Sequence, residues 1–362
     1  MENLFYKTIV CSFLLLFSHN IVAQNKHSKE IKETHTLSQK GTLYLDNKYG
    51  DVFLNGWDKN TIEIVINIEA TGKNEDKAKS LLNRIRSSIV ATKNQVIIKS
   101  EISDKEVSFF NKYINKIDPF KNEKTNTSIN YTIYLPNRSE VEVYNKYGDI
   151  IIKDWNGKLK AEVEHGDIRT TDSITTSNIS VKYGRLKANT LHKSSVKLKD
   201  ATLSVNNSDD LKIDSNGSEI KLDVINKLEL YSNKDNIEIN ELNNVFGNIK
   251  YSTVTFNTIK DNVNFDIDLG ELRILKFDTK APIVNINHES SEIYINISET
   301  NFNFNAKLEQ GVLRIPQTMQ NIDSEVLDKK NKIRHIKATY GNSKKGTFVF
   351  TGLKGIIILK EL

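Results

Sequence analysis

One apolar position recurs every 17 or 18 residues from residue 150 onward, and this spacing is the strongest constraint on the fold. An apolar or small residue follows two positions later in each copy, which is the alternation of a strand with one buried face. A repeat this short cannot bury its apolar face alone, whereas stacked repeats share one core. The spacing predicts a mostly β protein, a parallel β-solenoid of 17- to 18-residue rungs, with strands that begin at Ile150, Ile168, Leu186, Leu203, Ile220, Ile237, Val254 and Leu272.

A second alternating strand is predicted half a repeat later. Two short strands and two tight corners then account for each rung, and the glycines and asparagines at the corners can adopt the positive φ that a corner needs. The apolar pairs that mark this second strand are Leu159 with Ala161, Ile179 with Val181, Val196 with Leu198, Leu211 with Ile213, Leu228 with Leu230, and Val263 with Phe265.

A six-residue motif occurs both before the repeats and at their start. Asn47-Lys-Tyr-Gly-Asp-Val52 recurs 98 residues later as Asn145-Lys-Tyr-Gly-Asp-Ile150, and a tryptophan follows each copy at the same distance. We interpret the motif as a repeated turn, because glycine and aspartate between two strands favour tight turns. Its residues are Tyr49, Gly50, Asp51 and Trp57 in the first copy, and Tyr147, Gly148, Asp149 and Trp155 in the second.

The chain before the solenoid is predicted to form a small α+β unit. Alternation typical of strands covers 41–70, and apolar residues at helical spacing cover 74–90, with Asn74 as the N-cap. The predicted regions are a signal peptide at 1–23, an N-terminal strand and helix unit at 34–136, the solenoid at 137–298, and C-terminal rungs with a cap at 299–362.

The first residues predict export. An apolar run at 8–22 ends at Ala23, where the chain becomes polar, which favours a secretory signal peptide cleaved after Ala23 over a membrane anchor. Cys11 is the only cysteine and lies in this run, so the mature chain would have no disulfide, no Cys-ligated metal and no cysteine nucleophile. We expect no transmembrane segment after cleavage and a location in the periplasm or on the surface of a bacterium.

A polar insertion at 103–127 interrupts the N-terminal unit. Its aromatic residues have helical spacing, so it could protrude as an amphipathic contact with a partner or a membrane surface. The alternative, which we favour, is a segment that packs back on its own sheet. The candidate contact residues are Phe109, Phe110, Tyr113 and Phe120.

Basic residues recur at the outward position of the first strand in successive rungs. Stacked cations of this kind could bind an acidic glycan or a lipid head group, although a solvated face that discourages edge pairing is the more ordinary interpretation. Only 8 of the 51 basic residues are arginine and the net charge is +5, so the composition argues against a nucleic-acid partner. The candidate anionic-ligand face comprises Arg169, Lys187, Lys221 and Arg273.

No recognisable catalytic motif, cofactor motif or metal site occurs in the sequence. The glycines mark corners rather than a phosphate loop, and a calcium-binding repeat would be shorter and richer in Gly and Asp than the turns at Asp51, Asp149 and Asp167. The histidines beyond the N-terminal region lack HExxH spacing and any partner pattern. They are His165, His192, His288 and His335.

We therefore predict a protein that is not an enzyme and that uses an envelope glycan or another protein as its partner. A lyase or glycosidase on a β-helix scaffold is one alternative, because such enzymes line their clefts with acidic and basic side chains. The short corners leave little chain to build a cleft, which weighs against it. A regulatory or sensor partner in the envelope stress response is the other alternative.

The motifs also resemble a known group of proteins. The Tyr-Gly-Asp turns at 49–51 and 147–149, the Gly-Asp-Ile run at 166–168 and the closing Tyr340-Gly341 are similar to those of the bacterial "putative adhesin" β-strand-repeat family, which is related to autotransporter adhesin head domains. The resemblance covers about 40–362. It implies an exported parallel β-solenoid of the bacterial envelope with an adhesion or envelope-stress role, and it implies no catalytic residues.

Overall fold

The computed structural model describes residues 25–103, 127–342 and 345–362. These residues form one helix and 25 strands, and the strands make a mixed sheet in which many pairs are parallel. No helix in this part of the chain has the length and apolar character needed to span a membrane. The predicted signal peptide lies outside the described residues.

The described residues belong to two compact units. The first contains 25–30, 67–86, 102–103 and 127–128, and the second contains 31–66, 87–101, 129–342 and 345–362. The elements are β1 (Asn25–Thr36), β2 (Thr42–Lys48), β3 (Val52–Trp57), β4 (Thr61–Gly72), α1 (Glu75–Arg84), β5 (Ile85–Ala91), β6 (Gln95–Ile102), β7 (Thr127–Pro136), β8 (Glu140–Lys146), β9 (Ile150–Lys153), β10 (Lys158–Glu164), β11 (Ile168–Lys182), β12 (Arg185–Lys199), β13 (Thr202–Asn216), β14 (Glu219–Asn233), β15 (Asn236–Lys250), β16 (Thr253–Asp268), β17 (Glu271–Ile274), β18 (Ile283–Glu289), β19 (Glu292–Asn296), β20 (Phe302–Glu309), β21 (Val312–Arg314), β22 (Gln320–Asp328), β23 (Ile333–Tyr340), β24 (Gly346–Leu353) and β25 (Ile356–Lys360).

The helix in the first unit begins where the sequence predicts but ends earlier. The Asn74 side chain accepts a hydrogen bond from the Lys77 N–H at 3.0 Å, which confirms the predicted N-cap. The helix stops at Arg84, so the prediction that it continues to 90 is wrong. The chain continues as strand β5 through Ile-Arg-Ser-Ser-Ile-Val-Ala, where the β-branched isoleucines and valine favour an extended backbone over a helix.

The predicted column of first apolar positions is confirmed in the second unit. Ile150 pairs with Ile168, and the same parallel register continues without a break through the other six predicted positions to Leu272. Each of these side chains is at most 1% exposed. The period of 17 or 18 residues is therefore the distance along the chain between hydrogen-bonded neighbours.

The predicted alignment of the second strands is wrong in two repeats. Leu159 lies opposite Ser177 rather than Ile179, and Ser177 lies opposite Ser194. The two serines are buried, and the Ser177 hydroxyl donates to the Ser194 hydroxyl at 2.7 Å, which satisfies both within the core. A rule based on apolar residues misses this position, because a paired hydroxyl replaces the apolar side chain there.

The two copies of the six-residue motif are direct neighbours. β2 pairs with β8 and β3 pairs with β9, both in parallel, so that Asn47 lies opposite Asn145 and Val52 lies opposite Ile150. The Asn47 side-chain amide donates to the Asn145 side-chain oxygen at 3.1 Å in a buried position. The sequence offset of 98 is therefore one step between neighbouring strands.

The last strands do not follow chain order. β24 lies between β18 and β20, and β25 lies between β19 and β21, with all four of these pairings parallel. β20 also pairs with β23, and β23 with β22, in antiparallel register. The end of the chain thus occupies a position between two segments that precede it.

We predict that Gly352 is required where β24 pairs with β18. A Cβ on Gly352 would overlap Nε2 of the buried His288, so Gly352→Ala should destabilise the fold by about 1–3 kcal/mol. Gly311→Ala is the matched control, because its Cβ would meet nothing nearer than the Lys354 carbonyl oxygen at 3.4 Å, and it should shift stability by no more than about 0.5 kcal/mol. Urea unfolding measures both. Equal effects of the two substitutions would contradict the packing explanation.

Candidate functional site

The turn motif forms one column of aromatic rings at a corner of the second unit. Tyr49, Tyr147, His165 and Tyr183 each have a positive φ, between 55° and 67°. Their rings stack in sequence, with centroids 5.4, 5.2 and 4.9 Å apart and nearly parallel planes. His165, for which the sequence indicated no catalytic partner, is therefore a ring in this column, exposed at its edge.

Each residue of the column is followed by a glycine because the backbone of the neighbouring turn is too close for a side chain. A Cβ on Gly148 would overlap the carbonyl of Gly50, and a Cβ on Gly166 would overlap that of Gly148. The glycines therefore serve close packing between turns. The Tyr-Gly part of the motif is explained by the fold without a ligand.

The aspartates of the motif also serve neighbouring turns. The Asp149 N–H donates to Asp51 Oδ1 at 2.8 Å, and the Asp167 N–H donates to Asp149 Oδ1 at 2.9 Å. Burial alone would raise the pKa of the Asp167 carboxyl, but hydrogen bonds from Arg185 and Arg169 outweigh it and lower that pKa. In the described part of the chain, no three His, Cys, Asp or Glu side chains come together as ligands for a metal ion.

The two tryptophans have different environments despite their equal spacing from the motif. Trp155 is 1% exposed, and its indole N–H donates to the Ser139 hydroxyl at 3.3 Å. Trp57 is half-buried, donates to the Thr61 carbonyl at 2.7 Å and stacks on Tyr134 at 5.5 Å between ring centroids. Trp155 is therefore part of the core beneath a corner, whereas Trp57 lies at the surface and packs on Tyr134.

The four basic residues of the candidate anionic-ligand face belong to one column, as their spacing predicts. Arg169 pairs with Lys187, and the register continues through Ser204, Lys221, Glu238 and Thr255 to Arg273. Three of the four cations have an acidic partner, and the partner of Arg169, Asp167, also binds Arg185. Arg169 contacts Asp167 at 2.8 Å, Lys221 contacts Glu219 at 2.8 Å, and Arg273 contacts Glu271. These partners reduce the charge available to a ligand, and the role of the face stays a prediction.

The candidate contact residues of the insertion, Phe109, Phe110, Tyr113 and Phe120, lie outside the described residues.

A cavity of about 510 Å³ lies along β16, β18, β24 and β20. Its lining includes four carboxylates and Lys307. Two of the carboxylates already have partners, because Asp268 contacts Lys250 at 2.9 Å and Asp266 accepts from the Asn287 amide at 2.9 Å. The sequence predicted no such cavity, since these residues meet only through the changed strand order near the end of the chain.

His288 is buried beside this cavity. Its exposure is 6%, and neither ring nitrogen has a hydrogen-bond partner among the described residues. It occupies the core position that Ile267 fills in the preceding strand, opposite Gly352 in the following one. Burial lowers the pKa of His288 to about 4, so the imidazole is neutral at pH 7.

A second cavity, of about 460 Å³, lies at a corner of the second unit that the sequence analysis did not single out. Two of its basic residues, Lys40 and Arg138, are 98 positions apart, the same offset as the two copies of the motif. Extending the motif alignment backwards by seven residues would have placed them together. We call this site the corner cavity, and its lining comprises Lys40, Arg138, Glu140, Asn156, Gly157, Lys158 and Thr175.

The chain is a β-rich protein with parallel, in-register repeats. Among the solved structures similar to it, several are described as putative adhesins and one as a putative lipid binding protein. A "putative adhesin" from Bacteroides fragilis is 11% identical, with 92% of this chain and 97% of that chain covered and a TM-score of 0.28. One from Parabacteroides distasonis is 13% identical, with 74% and 94% covered and a TM-score of 0.34. A "putative lipid binding protein" from the same species is 13% identical, with 75% and 94% covered and a TM-score of 0.23. No family model matches the chain, and no curated protein resembles it significantly.

We predict that His288 makes stability depend on pH. Its pKa is about 4 in the folded chain and about 6.5 when unfolded, so the unfolded chain takes up the proton first as the pH falls. The contribution of His288 to the free energy of unfolding should therefore fall by about 2–3 kcal/mol when the pH is lowered from 7 to 4.5. His288→Leu removes the group, and urea unfolding at both pH values should show a smaller loss for the variant by that amount. The same pH dependence in both proteins would contradict a buried neutral imidazole.

Proposed function

We propose that this chain is an exported, noncatalytic protein of the bacterial envelope that presents a parallel β-solenoid as an interaction or adhesion surface. The observation that carries the proposal is the parallel pairing of β11 to β16, in which every strand pairs with the next one in the chain and the register shifts only at Thr170/Ser173 and Leu242/Asn244. Such stacking builds long, regular faces from exposed side chains.

Chain length supports winding into a solenoid. β13 has 15 residues and would span about 50 Å if straight. β14 pairs with it in parallel, so β14 must begin beside the start of β13, yet only Gly217 and Ser218 connect the two. Two residues reach no more than about 10 Å. Each 15-residue segment therefore has to return close to its own starting point, which is one turn of a coil.

A catalytic role has less support. The aspartates that follow the turn glycines accept hydrogen bonds from the backbone of neighbouring turns, which leaves them without the freedom of an acid or base in a cleft. A glycosidase needs two carboxyl groups facing a bound sugar. In the cavity along β16, β18, β24 and β20, Asn287 and Lys250 already hold Asp266 and Asp268, so a glycosidase would have to use Glu289 and Glu309.

Export is supported by the apolar run at 8–22 and the change to polar residues after Ala23. The candidate contact regions of the exported protein are the insertion at 103–127 and the face that contains Arg169 and Lys187, although an insertion packed on its own sheet and a solvated face are the interpretations that the sequence favours. An envelope glycan or another protein is a partner that suits exposed, hydrophilic faces. The mild net charge offers no support for a nucleic-acid partner.

The test is fractionation of cells that express the full chain with a tag after Leu362. We expect cleavage after Ala23 by mass spectrometry and recovery outside the cytoplasm, while a variant lacking residues 2–23 should stay in the cytoplasm at full length. Protease added to intact cells should degrade the exported protein if it acts in adhesion. An uncleaved cytoplasmic protein would overturn export, and complete protection in the periplasm would overturn cell–cell adhesion.

A further inference from the structure

The corner cavity is built by two successive turns of the same kind. The Gly41 N–H donates to the Ser38 carbonyl at 2.8 Å in one turn, and the Ser139 N–H donates to the Pro136 carbonyl at 3.1 Å in the other. The turns stack because the Glu140 N–H donates to the Gly41 carbonyl at 2.9 Å. Lys40 and Arg138 occupy the same place in the two turns, immediately before the residues that stack.

Buried and closely packed groups hold the base of the corner cavity. The buried Trp155 indole N–H donates to the Ser139 hydroxyl, and the Ser139 hydroxyl donates to the Pro136 carbonyl at 2.7 Å. A Cβ on Gly157 would overlap the Ser139 carbonyl, so the third turn also lies directly against the second. The Thr175 hydroxyl donates to the Asn156 carbonyl at 2.7 Å. The basic side chains therefore project from a fixed backbone.

The corner cavity has an excess of positive charge that the protein does not neutralise. Lys158 contacts Glu140 at 2.7 Å, and that pair accounts for the single carboxylate of the lining. Within the described residues, the side chains of Lys40 and Arg138 have neither an acidic partner nor a hydrogen bond. This differs from Arg169, Lys221 and Arg273, each of which contacts a carboxylate.

We propose that the corner cavity binds an anionic saccharide unit that carries a carboxylate or a sulfate. Arg138 supplies a planar fork that suits either group, and Lys40 supplies a second cation beside it. Every lining residue is polar or glycine, so the hydroxyls of a sugar find donors and acceptors, whereas no apolar side chain lines the cavity to hold the acyl chain of a lipid. A volume of about 460 Å³ exceeds that of one sugar ring. The proposal names a ligand class for the interaction role proposed above and rests on that role.

The test is titration calorimetry of the purified full chain in 50 mM salt. The probes are trigalacturonate for carboxylate, a heparin tetrasaccharide for sulfate, and maltotriose, inorganic phosphate and phosphatidylglycerol vesicles for comparison. The test variant is Lys40→Gln with Arg138→Gln. The control variant is Lys153→Gln with Lys276→Gln, which removes two exposed cations that also lack an ion pair in the described structure.

We expect one of the two anionic oligosaccharides to bind, and the test variant to bind it about tenfold more weakly, since it loses two charge-assisted contacts. The control variant should lie within about twofold of the wild type, and raising the salt to 300 mM should weaken binding severalfold. Unchanged thermal melting of both variants shows that folding is intact.

Four results would overturn the proposal: no binding of either anionic oligosaccharide, an equal loss in both variants, binding of maltotriose or phosphate as tight as that of the anionic sugars, or binding to vesicles alone. Because the measurement uses purified protein, its failure is distinct from a failure of export. An equal loss would point to net charge.

Discussion

The structure depends on the pairing of each repeat's backbone with the next repeat in parallel register. Parallel strands have no hairpin to fix their register, so the corners must do so. At the corners, residues with positive φ donate their N–H to the neighbouring repeat, as Tyr147 does to Glu164, His165 to Lys182 and Tyr183 to Lys199. The same conformation recurs at non-glycine residues as different as Asp200, Lys234 and Leu269. Because the residue type varies while the conformation persists, the inter-repeat hydrogen bonds outweigh the local preference of each residue.

The period of the apolar residues was enough to predict the first buried column, because the residue facing the core on that strand is apolar in every repeat. It was not enough where the core accepts paired polar groups, such as Ser177 with Ser194. The helix was overestimated for a related reason. Ile85 and Ile89 continue the helical spacing, but strand β5 uses the same residues with alternate positions turned inward. Spacing alone does not separate the two over so few residues.

The order of the last strands could not be predicted from periodicity, which records distance along the chain and not which segment lies beside which. β24 fits between β18 and β20 because its side chains complement both neighbours. Phe348 stacks on Phe302 at 3.8 Å between ring centroids, and Gly352 leaves room for His288. A shift of β24 by two residues would place Phe350 or Lys354 against the imidazole, so this pair of residues selects one register. The register of β24 is therefore set by the sizes of facing side chains, and the spacing of apolar residues contains no information about them.

At the candidate sites, the spacing of residues predicts where charged side chains lie better than it predicts how much of their charge is free to bind a ligand. The column containing Arg169 and Lys187 follows from spacing, but its local charge depends on Asp167, Glu219 and Glu271. Each of these stands two residues before its cation, a position that alternation places on the same side and that a search for stacked cations alone overlooks. Lys40 and Arg138 are further from the regular pattern, at exposed positions of their turns. A corner can therefore gain or lose charge without disturbing the stacked strands, whereas a strand position is constrained by neighbours on two sides. In a chain of this architecture, ligand specificity is most readily changed at the turns.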